Sequence, residues 1–136
     1  MKRLCLAALI AFGVTAPAEA GWFRGDGYLP ECHSRQVLAT VAQKFAYANR
    51  KTFHWGVKIE AVTDVYEKPE QIQAHSDIGR RYCRGTAWMT DGSQSEVAYL
   101  IETRQGFASV GWRVESCLPA YDEWHVYGSW CRSIRP

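Results

Sequence analysis

Four histidines, His33, His54, His75 and His125, carry the side chain best suited to acid–base work or metal binding near neutral pH. Catalysis needs such a ring within reach of a nucleophile or carboxylate, and none of the four sits in a pattern such as H-E-x-x-H. Solvent-facing or strand-end positions account for them, with His125 set apart because Tyr121, Asp122, Glu123 and Tyr127 crowd it. Arg80, Arg81 and Arg84, joined by Arg104 across a hairpin, form either a patch that grips a carboxylate or phosphate or a charge-paired sheet face with Asp77, Glu96 and Glu102. Neither Gly92-Ser93 nor Gly128-Ser129 has the strand–turn–helix setting of a serine nucleophile, and no glycine-rich phosphate loop is present. The expected catalytic set is empty, and neither a cofactor nor a metal is expected.

The cysteines are more informative. Met1-Lys2-Arg3, an apolar run from Leu4 to Val14 and Ala18-Glu19-Ala20 ahead of Gly21 have the three parts of a signal peptide, so residues 1–20 are expected to be removed. The apolar run is about half of the roughly 20 residues that a membrane span needs, and no second run follows. Processing at that point removes Cys5 and leaves Cys32, Cys83, Cys117 and Cys131, which in an exported chain read as two disulfides. A zinc site is the alternative, but it lacks any C-x-x-C pair. The expected location is periplasmic or secreted. The formal charge of the 136-residue chain is +2, and loss of Lys2, Arg3 and Glu19 lowers it to +1. So small a charge excludes strong steering toward nucleic acid or anionic lipid.

The elements that must position these groups follow from periodicity. Residues 21–31, GWFRGDGYLPE, form an extended arm, and residues 32–136 form one domain. Ser34 offers an N-cap, after which Val37, Leu38, Val41, Ala42, Phe45 and Ala48 recur at helical spacing until Asn49-Arg50-Lys51. Trp55, Val57, Ile59, Ala61 and Val65 then alternate with polar residues as in a half-buried strand. Gly92-Ser93 suits a type II′ turn, Gln105-Gly106 marks a second hairpin, and a last strand is expected from Trp124 to Trp130. The fold class expected is α+β: one N-terminal helix packed on a curled antiparallel sheet of four to five strands, with two disulfides.

The turns imply a register. Pairing Asp91 with Gln94 sets Trp88 opposite Val97 and Thr86 opposite Tyr99; pairing Arg104 with Phe107 sets Tyr99 opposite Trp112 and Ile101 opposite Val110. The same register turns Cys83 away from the helix, a conflict that a β-bulge at Gly85 resolves. Strand direction places Cys32 and Cys83 at one end of the sheet, which leaves Cys117 for Cys131; this is one of three possible connectivities.

The stretches Arg81-Tyr82-Cys83-Arg84, Trp88-Met89-Thr90-Asp91-Gly92, Tyr99-Leu100-Ile101-Glu102, Gly111 to Cys117 and Cys131 to Pro136 resemble a group of small exported alphaproteobacterial proteins. The order of helix then curled sheet is similar to the cystatin-like and NTF2-like superfold, which hosts inhibitors, binding modules and enzymes alike. Neither resemblance transfers a site residue. Trp55, Trp88, Tyr99, Trp112 and Phe45 are assigned to the core; Trp22, Phe23 and Tyr28 of the arm either fold back as a lid or form a contact surface. The function that these readings favour is a binding or interaction module of the bacterial envelope, monomeric or weakly dimeric, whose partner is an envelope protein or a small ligand. It would act through the arm, the outer sheet face with Arg80, Arg84 and Arg104, or the mouth of the helix–sheet cavity. The alternatives are a small enzyme or ligand carrier using His125, Asp122 and Glu123, and a cystatin-like protease inhibitor.

Overall fold

The computed structural model describes residues 28–69, 78–103 and 111–135. Helix α1 (Arg35–Ala48) is followed by β1 (Ile59–Lys68), β2 (Arg80–Met89), β3 (Gln94–Thr103) and β4 (Trp112–Cys117). The four strands form one open antiparallel sheet in the order β1-β2-β3-β4. Signal segment, Trp22, Phe23, Asp77, Arg104 and the expected Gln105-Gly106 turn lie outside the described residues.

Helix α1 forms where the apolar spacing predicts it and buries Val37, Val41 and Phe45 against the sheet. Each such side chain stabilises by about 1.5–3 kcal/mol when fully buried. Ser34 occupies the N-cap position without a side-chain capping bond; its carbonyl accepts from Leu38 N–H at 3.0 Å. The inner face of the sheet contributes Cys83, Ala87, Met89, Val97, Tyr99, Ile101 and Val114 to the same core. The Cys32–Cys83 disulfide ties the approach to α1 to the middle of β2, and the buried Tyr99 hydroxyl donates to Cys32 O at 2.9 Å. Burial pushes that hydroxyl's pKa up, so it stays a donor at every physiological pH.

Part of the outer face is also covered. Tyr82, Ala98, Leu100 and Cys117 pack with Cys131 and Ile134. The residues beyond β4 do not form the expected strand; they run through two short 3-10 turns, Pro119–Tyr121 and Ser129–Ile134, back across the outer face. Alternation of large and small residues imitates a strand there, yet turn bonds from His125 N to Asp122 O and from Gly128 N to His125 O take the backbone groups that a ladder would need. The Cys117–Cys131 disulfide closes this segment.

The register departs from expectation in an instructive way. Thr90-Asp91-Gly92 makes a three-residue loop in which Met89 N bonds Ser93 O at 2.9 Å and Gly92 takes φ +83°. Gly85 therefore lies opposite Val97, Thr86 opposite Glu96 and Trp88 opposite Gln94. This odd-numbered slip turns Cys83 inward with no bulge in the β2–β3 ladder, which runs unbroken from Arg80 to Trp88. Trp88 and Thr86 consequently leave the expected core; Trp88 is on the outer face, 39% exposed, donating to Thr63 Oγ1 at 2.9 Å. A bulge does occur beside Gly85, but on β1: Asp64 and Val65 intervene between the Thr63–Thr86 and Tyr66–Arg84 pairs, and Asp64 has φ +51°. Between β3 and β4, Ile101 faces Val114 and Tyr99 faces Ser116, an even-numbered slip that keeps the expected face inward.

A Cβ added to Gly85 would lie 2.9 Å from the Thr63 carbonyl oxygen. Gly85→Ala is thus expected to destabilise by about 1–3 kcal/mol, the usual cost of overpacking, measured as a lowered urea midpoint with unchanged slope.

Candidate functional site

Where α1 ends, the chain makes a wide turn, Asn49–Phe53, and then passes His54 at φ 57°. The buried Asn49 holds this turn from inside: its carbonyl accepts from His54 N–H at 2.7 Å, its Nδ2 donates to Val57 O and its Oδ1 accepts from Gly56 N–H. Phe53 and Trp55 are thereby presented at the C-terminal end of the helix. Their rings stack at 4.3 Å and 4°.

The other wall comes from the loop closed by Cys117 and Cys131. Asp122 organises it, with Oδ1 accepting from Val126 N–H at 3.0 Å. Tyr121 meets Phe45 edge-on at 5.2 Å and Trp55 at 5.1 Å, and Trp124 lies 4.8 Å from Phe53. The Trp55 indole N–H donates to Glu123 Oε1 at 2.8 Å, joining the two walls. Between them is a cleft of about 230 Å³ whose floor and sides include Phe45, Ala48, Phe53, Trp55, Leu118 and Tyr121, with Lys44, Glu115, Asp122 and Tyr127 as its polar members.

One side of the cleft is a fixed polar network. Lys44 reaches over the edge of β4, where its ammonium donates to Val114 O and pairs with Glu115. Glu115 also pairs with Arg113 and accepts from the Tyr127 hydroxyl. Burial acts to raise the Glu115 pKa, but the Tyr127 hydrogen bond and the Lys44 and Arg113 charges outweigh it and hold the carboxyl below its ordinary value. Tyr127 moves the opposite way: burial, then the bond to Glu115 and its negative charge, push the hydroxyl up. It remains a donor. Cys117, Asp122 and Cys131 also converge, but the two sulfurs are bonded to each other and offer no thiolate to a metal.

The residues singled out in the sequence are dispersed. Tyr28 is 71% exposed ahead of the helix. Arg80 pairs with Glu102 at 2.9 Å, and Arg84 borders a separate polar hollow with Asp64, Tyr66 and Glu96. His125 is exposed on the closed loop at φ 50°, next to the cleft wall rather than in it. Sequence reasoning missed Lys44, Phe53, Glu115 and Trp124 as partners and assigned Trp55 and Phe45 to the core alone. Aromatics cluster locally in Phe53-His54-Trp55 and Tyr121-Asp122-Glu123-Trp124, but nothing in those spacings signals that the two clusters meet. Comparison with protein-family models, curated proteins and solved structures finds no match to this chain.

Two outcomes follow. Asn49→Ala leaves the half-buried Val57 carbonyl and the Gly56 N–H without their partner, so stability falls by about 1 kcal/mol and Trp55 fluorescence shifts toward that of exposed indole. Because the folded-state pKa of Glu115 is depressed, its stabilising contribution is full above the ordinary carboxylate pKa and is lost as pH falls through the folded value. Glu115→Gln is therefore expected to lower the melting temperature at pH 7 and to converge with the parent protein in acid. A constant difference at all pH values would contradict this assignment.

Proposed function

We propose that this chain is an exported binding module of the bacterial envelope, and that its binding site is the aromatic cleft at the C-terminal end of α1. The observation that carries the reading is that aromatic rings from two separate segments converge on one hollow while remaining partly open: Phe53, Trp55 and Tyr121 all line it and all are only half-buried. A ring needed only for the core would be covered; an open ring beside oriented polar groups is the usual composition of a ligand site. Export is supported by the signal-type N-terminal segment and by two disulfides, which persist in oxidising compartments. Among the described residues no helix is long and apolar enough to cross a membrane.

The cleft is smaller than the roughly 300–1,000 Å³ typical of sites for drug-sized molecules, which favours a small ligand over a protein partner. The test is native mass spectrometry of protein recovered from the envelope fraction of its exporting host. A retained small-molecule mass that disappears in Phe53→Ala, with both disulfides intact, is the expected result. A retained small molecule unaffected by Trp124→Ala and by Phe53→Ala would place the site elsewhere, and a retained protein alone would overturn the small-ligand reading.

A further inference from the structure

A second site, separate from the cleft, lies on the outer face of the sheet, and we infer that it binds a neutral oligosaccharide in an extended, β-1,4-linked form. The C-terminal tail packs over Tyr82, Ala98 and Leu100 and leaves the end of that face nearest the β2–β3 turn open. There Trp88 and Thr86 of β2 lie opposite Gln94 and Glu96 of β3, while Thr63 and Tyr66 of β1 lie opposite Thr86 and Arg84. Alternate residues of a strand share a face, so these side chains project together. Arg84, Thr86, Gln94 and Glu96 line a hollow of about 370 Å³ with Asp64 and Tyr66, which is within the size range of small-molecule sites.

Hydrogen bonds fix the members of this surface. The Thr63 hydroxyl accepts from the Trp88 indole N–H at 2.9 Å and donates to Asp64 Oδ2 at 3.0 Å, so one hydroxyl holds a ring and a carboxylate relative to each other. Asp64 stands in the β1 bulge at φ +51°, and bulges commonly re-aim side chains beside functional sites. On the β3 side, Arg135 of the tail reaches both carboxylate oxygens of Glu96, at 3.0 and 3.1 Å.

The charges cancel. Two carboxylates, Asp64 and Glu96, are balanced by two guanidinium groups, Arg84 and Arg135, so neither an anion nor a cation is favoured. What the hollow offers is a mixture of donors and acceptors: guanidinium, carboxylates, the Gln94 amide and the Thr86 hydroxyl. A ligand that matches all of them carries groups that both donate and accept, which is the property of hydroxyls. Two open rings add an apolar surface, Tyr66 at 50% exposure on the wall and Trp88 at 39% beside Gln94. A pyranose has hydroxyls around its edge and C–H groups on its faces, and those faces pack on aromatic rings. Arg84, which faces Tyr66, is four residues from Trp88 along β2, about 13 Å. One sugar ring does not bridge that distance, whereas a straight chain of several does, and β-1,4 linkage keeps such a chain straight.

The experiment titrates the oxidised protein with cellohexaose, chitohexaose and maltohexaose, read by calorimetry and by amide chemical shifts. Saturable binding of at least one β-1,4-linked hexamer is expected, about tenfold or more tighter than that of α-1,4-linked maltohexaose, with shifts centred on Thr63, Tyr66, Thr86 and Gln94. Tyr66→Ala and Trp88→Ala should each weaken that binding by about tenfold. Thr63→Val cuts the link between Trp88 and Asp64 while keeping both rings, and should weaken it by a smaller factor. Saturable binding of none of the three sugars overturns the proposal, as do shifts centred on Phe53, Trp55 and Tyr121. Binding undiminished in Tyr66→Ala and Trp88→Ala, both with the parent's urea midpoint, overturns it too, and equal binding of all three sugars overturns the extended form.

Discussion

After Cys117 the described chain has no further strand and no α-helix, only two short 3-10 turns, so a segment with so few backbone hydrogen bonds must be held by something else. The Cys117–Cys131 bond does this. It closes a loop of 14 residues separation that contains the cleft residues Leu118, Tyr121, Asp122, Val126 and Tyr127, as well as Trp124, which packs on Phe53. Cross-linking a loop of about this length removes roughly 3 kcal/mol of chain entropy from the unfolded state, a large share of the about 5–15 kcal/mol that keeps a domain folded. Asp122 serves Val126 N–H inside the ring, Tyr127 O accepts from Ser133 N–H and its hydroxyl just beyond it, and Glu123 and Tyr127 tie the ring to Trp55 and Glu115. Trp130 and Cys131 both adopt left-handed conformations, φ 58° each, which unconstrained residues of these types seldom keep.

The second disulfide has a different task. Cys32–Cys83 joins the approach to α1 to β2, and Tyr99 adds its hydrogen bond to the Cys32 carbonyl, so the N-terminal end of the helix is fixed covalently to the centre of the sheet. At the other end the helix has no such tie. There Phe45 stacks with Trp55 at 5.4 Å, Asn49 shapes the exit turn and Lys44 covers the free edge of β4. The end of the helix secured by side chains alone is the end where the cleft opens. Rigid scaffold on one side and adaptable side-chain contacts on the other is a common arrangement for binding sites.

Much of this fold was legible in the sequence, and the failures have physical causes. Apolar spacing from Val37 to Phe45 matches a helix, and strand direction favoured, among three connectivities, the Cys32–Cys83 and Cys117–Cys131 pairs that the structure has. Register was harder because it rests on the turn. Reading Gly92-Ser93 as a two-residue loop, rather than Thr90-Asp91-Gly92 as a three-residue one, slid β2 by an odd number and exchanged its faces. The bulge expected at Gly85 is absent from β2, which pairs regularly with β3 there; the irregularity lies on β1, whose backbone uses the space that the glycine leaves. The tail from Trp124 to Trp130 alternates like a strand, and only the Asp122 turn bonds and the covalent ring show that it is not one. The site was the least legible part. Its walls are some 66 residues apart in the chain, Trp55 against Tyr121, and short spacings say nothing about such a meeting.

The central claim is a division of labour in which one disulfide builds the core and the other builds the cleft. Nuclear Overhauser contacts read it directly, in the parent protein and in a variant with both Cys117 and Cys131 replaced by alanine. The division predicts that ring contacts between Phe53 and Trp124 are present in the parent and lost in the variant, while contacts of Tyr99 with the Cys32 segment persist in both. Loss of the Tyr99 contacts together with the ring contacts, or survival of the Phe53–Trp124 contact without the bond, would contradict it.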